Sequence, residues 1–470
     1  MFFYSPNFIV FFIVLLIPFY LFPKQRIYWL AAANAIFYTV HPEGFIILFF
    51  TMCLLTFSIV KLMCRPGWRW TFWVGIAANV LNLALFKYSL FALSNLKLIG
   101  ITLPGADHFA STIVLPLGIS FYTFEFISYL VDVRRSQTRQ EHSFLQFWVF
   151  VSMFPHLIAG PIMRGSELFP QLGDLNKRSL GWSQIKYGSY LFIVGLMKKL
   201  VIADQLSPLV EAYFNKGYSI NGTDSWIAGY LFSFFIYADF SSYTDMAMGL
   251  GVMLGVKFAE NFKSPYLSGD PSEFWRRWHM TLSRWIRDYI YISLGGNRKG
   301  SFRTIVNLMI TMVISGLWHG AMWTFVVWGG IHGLMLIIHR LTLGINKYSR
   351  IAIIRKSRIY RLVAIIIFFH LVTWTWILFH ANSLHMAIFM TSKMLQANVV
   401  DIATHPYFWL AVGLYGLHVM EYFMRKNEQT IGRAWYRIPF PLRGAGYVLL
   451  LLALMYFAKG EEYAFIYFQF

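Results

Sequence analysis

Residues 270–291, DPSEFWRRWHMTLSRWIRDYIY, decide the reading of the chain, together with LGGNRKG at 294–300 and an apolar stretch broken at GLWHGA, 316–321. Asp270 is placed to cap a helix, Pro271 suits the first helical position, and Glu273 stands three residues after the cap, where it can reach back. On a helical wheel Phe274, Trp278, Leu282, Trp285 and Tyr289 share one face, and Arg276, Arg277, Arg284 and Arg287 share the other. A helix with one aromatic and one basic face lies along a membrane interface rather than across it. The same spacing sets up the i,i+4 pairs Glu273–Arg277 and Arg284–Asp288 and leaves His279 between the two arcs.

The next segment, Thr304 to His339, has Arg303 and Arg340 at its ends, so it makes an even number of crossings. It is predicted to be a hairpin or a re-entrant pair. Its first arm, Thr304 to Trp318, rises only about 22 Å at 1.5 Å per residue, short of a hydrocarbon core of about 30 Å. The tip Trp318-His319-Gly320 is therefore expected inside the membrane, where an ionisable side chain is costly and marks a functional site by default.

Outward from this stretch the chain reads as membrane scaffold. Hydrophobic residues make up 57% of the 470 positions and charged ones 13%, about half the charged share of a soluble domain. The net charge of +19 is carried in short clusters between apolar runs, with no nucleic-acid motif beside them. Such clusters mark cytoplasmic loops, and nucleic acid is not an expected partner. Cys53 and Cys64 form no CxxC pair, which removes a disulfide framework, a zinc ribbon and a thiol nucleophile from consideration. The N-terminus lacks a basic n-region and a small-residue cleavage site, so it reads as a retained span.

With basic clusters inside, the first span, about Pro6 to Phe22, starts outside and ends at Lys24 and Arg26. Two short spans broken at His41-Pro42-Glu43-Gly44 return to Lys61, Arg65 and Arg69; Trp70 to Leu93 goes out and Ile113 to Val131 returns to Arg134, Arg135 and Arg139. Phe144 to Ile162 holds Pro155, Gly160 and Pro161, which break a helix, and is predicted to be re-entrant or interfacial. Tyr187 to Ile202, Trp226 to Val252, Leu362 to Phe379, Tyr407 to Met424 and Tyr447 to Phe457 complete an all-α polytopic bundle of about eleven spans. The chain is read as one membrane-embedded domain, 1–470, with N-terminal helices at 1–140, a core at 141–340 and C-terminal helices at 341–470. Lys198 and Lys199 in one span and Asp239 and Asp245 in the next are expected to pair within the membrane.

His319 is the leading catalytic candidate: a neutral imidazole can take a proton from a hydroxyl as it attacks an activated acyl group. The alternative is a histidine satisfied by a carbonyl at a helix break. His279 can orient an acceptor, stabilise an oxyanion or assist the base; alternatively it is an interfacial histidine bonded to a neighbour such as Ser283. His332, in GGIHG, is read as packing. No HExxH or comparable spacing links the histidines, so no metal is expected. Arg298 and Lys299, in the glycine-rich turn, are candidates to meet the phosphates of a cytoplasmic donor, or are a charged turn at the membrane surface.

The stretches LPLGISFYTFEFISYLVDVRR, FPHLIAGPIMR, YADFSSYTDMAMGLG, EFWRRWHMTLSRWIRDYIY, LGGNRKG, GLWHGAMWTFVVWGGIHG and FIYFQF together resemble the membrane-bound O-acyltransferase (MBOAT) family, in its bacterial AlgI/PatA/DltB branch of polysaccharide acylation. The resemblance implies about eleven transmembrane helices plus re-entrant and interfacial pieces around a central funnel. It carries the family's essential histidine onto His319 and its second active-site histidine onto His279. It further implies a multi-pass protein of the bacterial cytoplasmic (inner) membrane with no permanently bound cofactor. Such a protein takes an acetyl group from a cytoplasmic thioester, acetyl-CoA, for O-acetylation of a cell-surface polysaccharide such as alginate or peptidoglycan, with the help of an extracytoplasmic acetyltransferase partner protein. D-alanyl transfer from a carrier protein to teichoic acid is the alternative within the family, and a polysaccharide exporter or flippase is the alternative outside it.

Overall fold

Ser5 opens the first helix by accepting the Phe8 N–H, and Pro6 occupies its first position, so Pro6–Leu21 begins where the sequence puts it. The computed structural model describes residues 2–40, 45–105, 108, 112–135, 142–345, 357–458 and 463–466. The expected break at His41-Pro42-Glu43-Gly44, Arg139, most of the basic linker before Arg358 and the last four residues of FIYFQF lie outside them. Among the described residues every regular element is helical. The chain divides into two compact units, one of residues 1–195 and 243–259, the other of residues 196–242 and 260–470.

In the first unit the first helix faces inward with mainly aromatic side chains and outward with aliphatic ones. On Pro6–Leu21, Phe8, Phe12, Leu15 and Phe19 are buried while Ile9, Val10, Ile13, Val14 and Ile17 are exposed. An apolar stripe turned outward suits lipid, since in water it would be a large unpaired patch. Several polar groups are turned in and paired. Arg26, 3% exposed, donates to the carbonyls of Phe19, Leu175 and Arg178 at 2.6–3.2 Å. His156 Nδ1 meets Glu125 at 3.1 Å, both fully enclosed. The predicted breakers act as expected: Phe144–Ser152 stops, Pro155 sits in the one-turn helix Phe154–Leu157, and residues 158–163 run without regular structure. That irregular backbone is buried in protein, as a bilayer requires. Gly118, at φ +68, caps Ile119–Arg134 in the left-handed region, and a β-carbon there would press on the Leu157 carbonyl.

In the second unit the predicted hairpin is two helices, Gly300–His319 and Trp323–Ile345, followed by Arg358–His380, Pro406–Lys426 and Phe440–Phe457. The first arm starts four residues earlier than expected. At 1.5 Å per residue its 20 residues rise about 30 Å, enough to cross a hydrocarbon core, so shortness gives no reason to hold the tip inside the membrane.

Six helices among the described residues are long and apolar enough to cross a membrane, and up to seven if Pro6–Leu21 and Pro23–Thr39, bent by 113°, are one broken span. Mean hydropathy passes over helices that carry inward charges. Gly222–Met253 and Pro406–Lys426 are such helices, of 32 and 21 residues, holding Asp239 and Glu421 respectively.

The expected intramembrane pairing is present in part. Lys199 bonds Asp239 at 2.8 Å, and also Asp204 at 2.9 Å, which lies two residues beyond the span expected to end at Ile202. Lys198 takes Glu421, a partner that the sequence reading did not consider. The second oxygen of Asp239 accepts the Ile466 N–H at 2.8 Å, and Phe465 lies under the Lys199 ammonium, so the cluster fastens the C-terminal segment. One buried cation thus serves two carboxylates. Removing it as Lys199→Met leaves both behind, and a loss of about 3–5 kcal/mol is expected. Thermal unfolding in detergent checks this: Lys199→Met should melt well below the wild type, and Lys199→Met with Asp239→Asn should regain part of the difference.

Candidate active site

Asp270 caps its helix as predicted, accepting the Glu273 N–H at 2.7 Å, while the Glu273 carboxylate reaches back one residue further than the capping rule places it, to the Gly269 N–H. Burial works against the Glu273 charge. Hydrogen bonds from Arg361 and Gly269, with the charges of Arg277 and Arg361, outweigh it and hold its pKa below the ordinary glutamate value. The Glu273–Arg277 pair forms at 3.0 Å, and Asp288 is held by its neighbour Arg287.

The single helix expected from 270 to 291 does not continue. It ends at Trp275, the chain turns, and a new helix begins at Met280. The turning point is His279, at φ +41, a left-handed conformation that a residue with a β-carbon adopts at a cost of about 1–2 kcal/mol. The wheel pattern nevertheless survives, with Phe274, Trp278, Leu282, Trp285 and Tyr289 all buried and Arg276 and Arg287 exposed.

A segment absent from the sequence reading holds the break together. The Lys263 N–H donates to the Arg277 carbonyl, and the Met280 N–H donates to the Asn261 carbonyl, both at 2.9 Å. The Asn261 side-chain oxygen receives the Thr281 N–H at 3.2 Å and the Thr281 hydroxyl at 2.9 Å. A helix start needs partners for its first N–H groups, and Asn261 supplies two of them from nineteen and twenty residues away. The same oxygen lies 3.0 Å from His279 Nδ1. His279 is fully buried, its ring edge-on to Phe240 at 4.7 Å.

His319 is the last residue of its helix, before the turn at Gly320. The two arms cross with Gly316 against Gly329. A β-carbon at Gly316 would strike the Phe325 carbonyl, and one at Gly329 the Met312 carbonyl. This approach lays Trp328 against His319 at 5.3 Å, nearly perpendicular. Phe379, from Arg358–His380, closes in at 5.2 Å, and Trp318 at 5.0 Å. His319 is 2% exposed, and its ring centroid lies 6.4 Å from that of His279. Two imidazoles from separate elements thus share one aromatic enclosure, a setting of low polarity in which a hydrogen bond or charge counts for more than in water.

His332 makes its own contacts. Its Nε2 meets Thr375 at 3.2 Å, and the Thr375 hydroxyl is already spent on the Val372 carbonyl, so His332 donates. It packs under Trp328 and Trp275. Arg298 and Lys299 are exposed on the turn that precedes Gly300. The whole length of Gly300–His319, about 30 Å, lies between them and His319. Sequence reasoning missed Asn261, Phe240 and Phe379. Asn261 sits in the polar run ENFKSP, where nothing in the spacing marks it.

Burial pushes the His279 pKa from its ordinary 6.5 down to about 3. Between these values an unfolded chain takes up a proton that the folded one refuses. Stability from the neutral ring is therefore complete above pH 6.5 and is lost as the pH falls from 6.5 toward 3. At about 1.4 kcal/mol per pH unit, the wild type should lose about 2 kcal/mol by pH ~5 that His279→Gln does not. Melting curves in detergent between pH ~7.5 and ~5 test this, and equal slopes for the two proteins would refute it.

The profile of MBOAT, the membrane-bound O-acyltransferase family, matches residues 33–380, which include both histidines. The protein named "Probable alginate O-acetylase AlgI" of Pseudomonas putida is 35% identical over 95% of this chain and 95% of its own length. The "Peptidoglycan O-acetyltransferase" of Helicobacter pylori is 34% identical over 81% of this chain and 75% of its own. The "Teichoic acid D-alanyltransferase" of Streptococcus thermophilus is 28% identical over 47% and 56%. With its apolar, inward-charged helices and a match across most of its length, the chain is a multi-pass membrane O-acyltransferase and belongs to the membrane-bound O-acyltransferase family.

Proposed function

We propose that this protein moves an acetyl group from a cytoplasmic thioester, acetyl-CoA, to a hydroxyl acceptor for O-acetylation of a cell-surface polysaccharide such as alginate or peptidoglycan. It does so from the bacterial cytoplasmic (inner) membrane. The observation that carries the reading is the buried pair His279 and His319, 6.4 Å apart ring to ring. His319 takes the proton of the acceptor hydroxyl as its oxygen bonds to the thioester carbonyl carbon. The carbon–sulfur bond then breaks, and the imidazolium returns the proton to the departing thiolate. His279 is the second group at the acceptor. The aromatic enclosure keeps water from competing with the acceptor.

Arg298 and Lys299, at the basic end of the hairpin, are the contacts proposed for the donor's phosphates, well away from its thioester. An extracytoplasmic acetyltransferase partner protein carries the acetyl group onward to the polysaccharide. Acetyl rather than D-alanyl transfer is favoured by the relatives: those named for acetylation match at 34–40% over 77–95% of the chain, against 24–28% over 47–60% for those named for D-alanyl transfer.

The test uses the host's own envelope. His319→Ala should lower polysaccharide acetyl ester by at least about 10²-fold, measured by NMR of the purified glycan, with the amount of membrane-inserted protein unchanged. His279→Ala should impair the same ester. Full acetylation in the His319 variant would remove it from the chemistry.

A further inference from the structure

Asn261 is 1% exposed and makes more contacts to the His279 break than any sequence signal would suggest. The Thr281 backbone N–H points at one end of its amide, and a backbone N–H can only donate. That end is therefore the oxygen, and the orientation of the amide follows from the fold. The same oxygen stands 3.0 Å from His279 Nδ1. An amide oxygen has lone pairs to offer and no hydrogen, so Nδ1 must carry one. In a neutral imidazole the lone pair then belongs to Nε2. Whatever meets Nε2 must donate to it.

We propose that Asn261 is a positioning residue: it locks His279 as the Nδ1–H tautomer, so that Nε2 accepts a hydrogen bond from a neighbouring donor group of the acceptor while the reacting hydroxyl gives its one proton to His319. The assignment rests on the acyl-transfer reading of this site and narrows it. Of the roles open to His279, stabilising an oxyanion needs a hydrogen on Nε2, which this tautomer lacks. Orienting the acceptor through a donor group next to the reacting hydroxyl needs a lone pair there, which it has. Asn261 also fixes where the ring points, because its carbonyl holds Met280, the next residue after the left-handed turn. Tautomer and direction are set by one side chain and its own backbone. Burial keeps the ring neutral through the physiological range, so the tautomer is the state that matters.

The full-length protein, labelled with 15N-histidine in lipid nanodiscs, tests this by NMR, the His279 signals being assigned by their loss in His279→Gln. Nδ1 should resonate as an N–H nitrogen and Nε2 as a lone-pair nitrogen. Asn261→Ala should shift the ring toward the Nε2–H form, whereas Asn261→Asp, which keeps an acceptor oxygen, should not. In the same preparations, with acetyl-CoA as donor, kcat should fall at least about tenfold for Asn261→Ala, with little change in donor KM, and Asn261→Asp should restore most of it. An Nε2–H ring in the wild type overturns the proposal. So does an unchanged tautomer in Asn261→Ala, or an Asp variant no more active than the Ala one. Should Asn261→Ala fail to fold, the wild-type spectrum and the Asp variant still decide. If His279→Gln and His319→Ala both retain full transfer, the acyl-transfer reading itself fails, and the spectra report separately whether the Asn261–His279 bond exists.

Discussion

A helix can be broken away from water only where something else takes its N–H groups, and here that partner is Asn261. Its carbonyl and its side-chain oxygen take the first two N–H groups of the helix that starts at Met280. Without them the stretch from Asp270 to Tyr291 would gain most by continuing as one helix, and His279 would point where a regular wheel directs it. With them, the backbone turns through a left-handed residue and His279 lies in the enclosure that also holds His319. The strain at φ +41 is small beside two unsatisfied N–H groups, each of which costs roughly 1–3 kcal/mol when buried. That comparison explains why a histidine adopts a conformation that usually calls for glycine.

What could be read from the sequence follows from this. Local chemistry was legible: the Asp270 cap, Pro271 at the first helical position, the Glu273–Arg277 pair and the breakers around Pro155 depend on residues within one turn of each other. The buried face from Phe274 to Tyr289 was legible even though the helix carrying it is not continuous. The aromatic residues sort themselves by burial, and the break redirects the chain without turning them outward. The break itself was not legible, because it is made by a residue eighteen positions upstream of His279. The Lys198–Glu421 pair spans 223 positions and no periodicity connects its ends. The start of the first hairpin arm was misjudged because Gly300 closes a glycine-rich turn and Arg303 reads as a flanking charge, whereas in the structure residues 300–303 form the first turn of the helix.

The ion clusters and the active-site enclosure obey the same rule. A polar group held away from water has to be satisfied by partners on other elements, and those partners then fix the elements against one another. Lys199 does this for Asp204 and Asp239, and through Asp239 for the backbone at Ile466. Arg26 does it in the other unit by gathering three carbonyls. Such groups contribute little net stability over a well-packed apolar alternative, but they tolerate few arrangements. In helices that turn apolar side chains outward, they specify which face turns inward.

The hairpin adds a constraint on what can occupy the site. Gly316 and Gly329 allow its arms to touch at the His319 end, while the charged turn with Arg298 and Lys299 sits at the other end of the first arm, about 30 Å away. A small activated ester could not reach both. A molecule that presents an acyl carbon to the histidines and anionic groups to the basic turn must be extended and must carry its charge far from its reactive end. A thioester on a long phosphorylated handle has that shape. On the proposed reading, the length of that one helix therefore asks for a donor whose charge lies far from its acyl carbon.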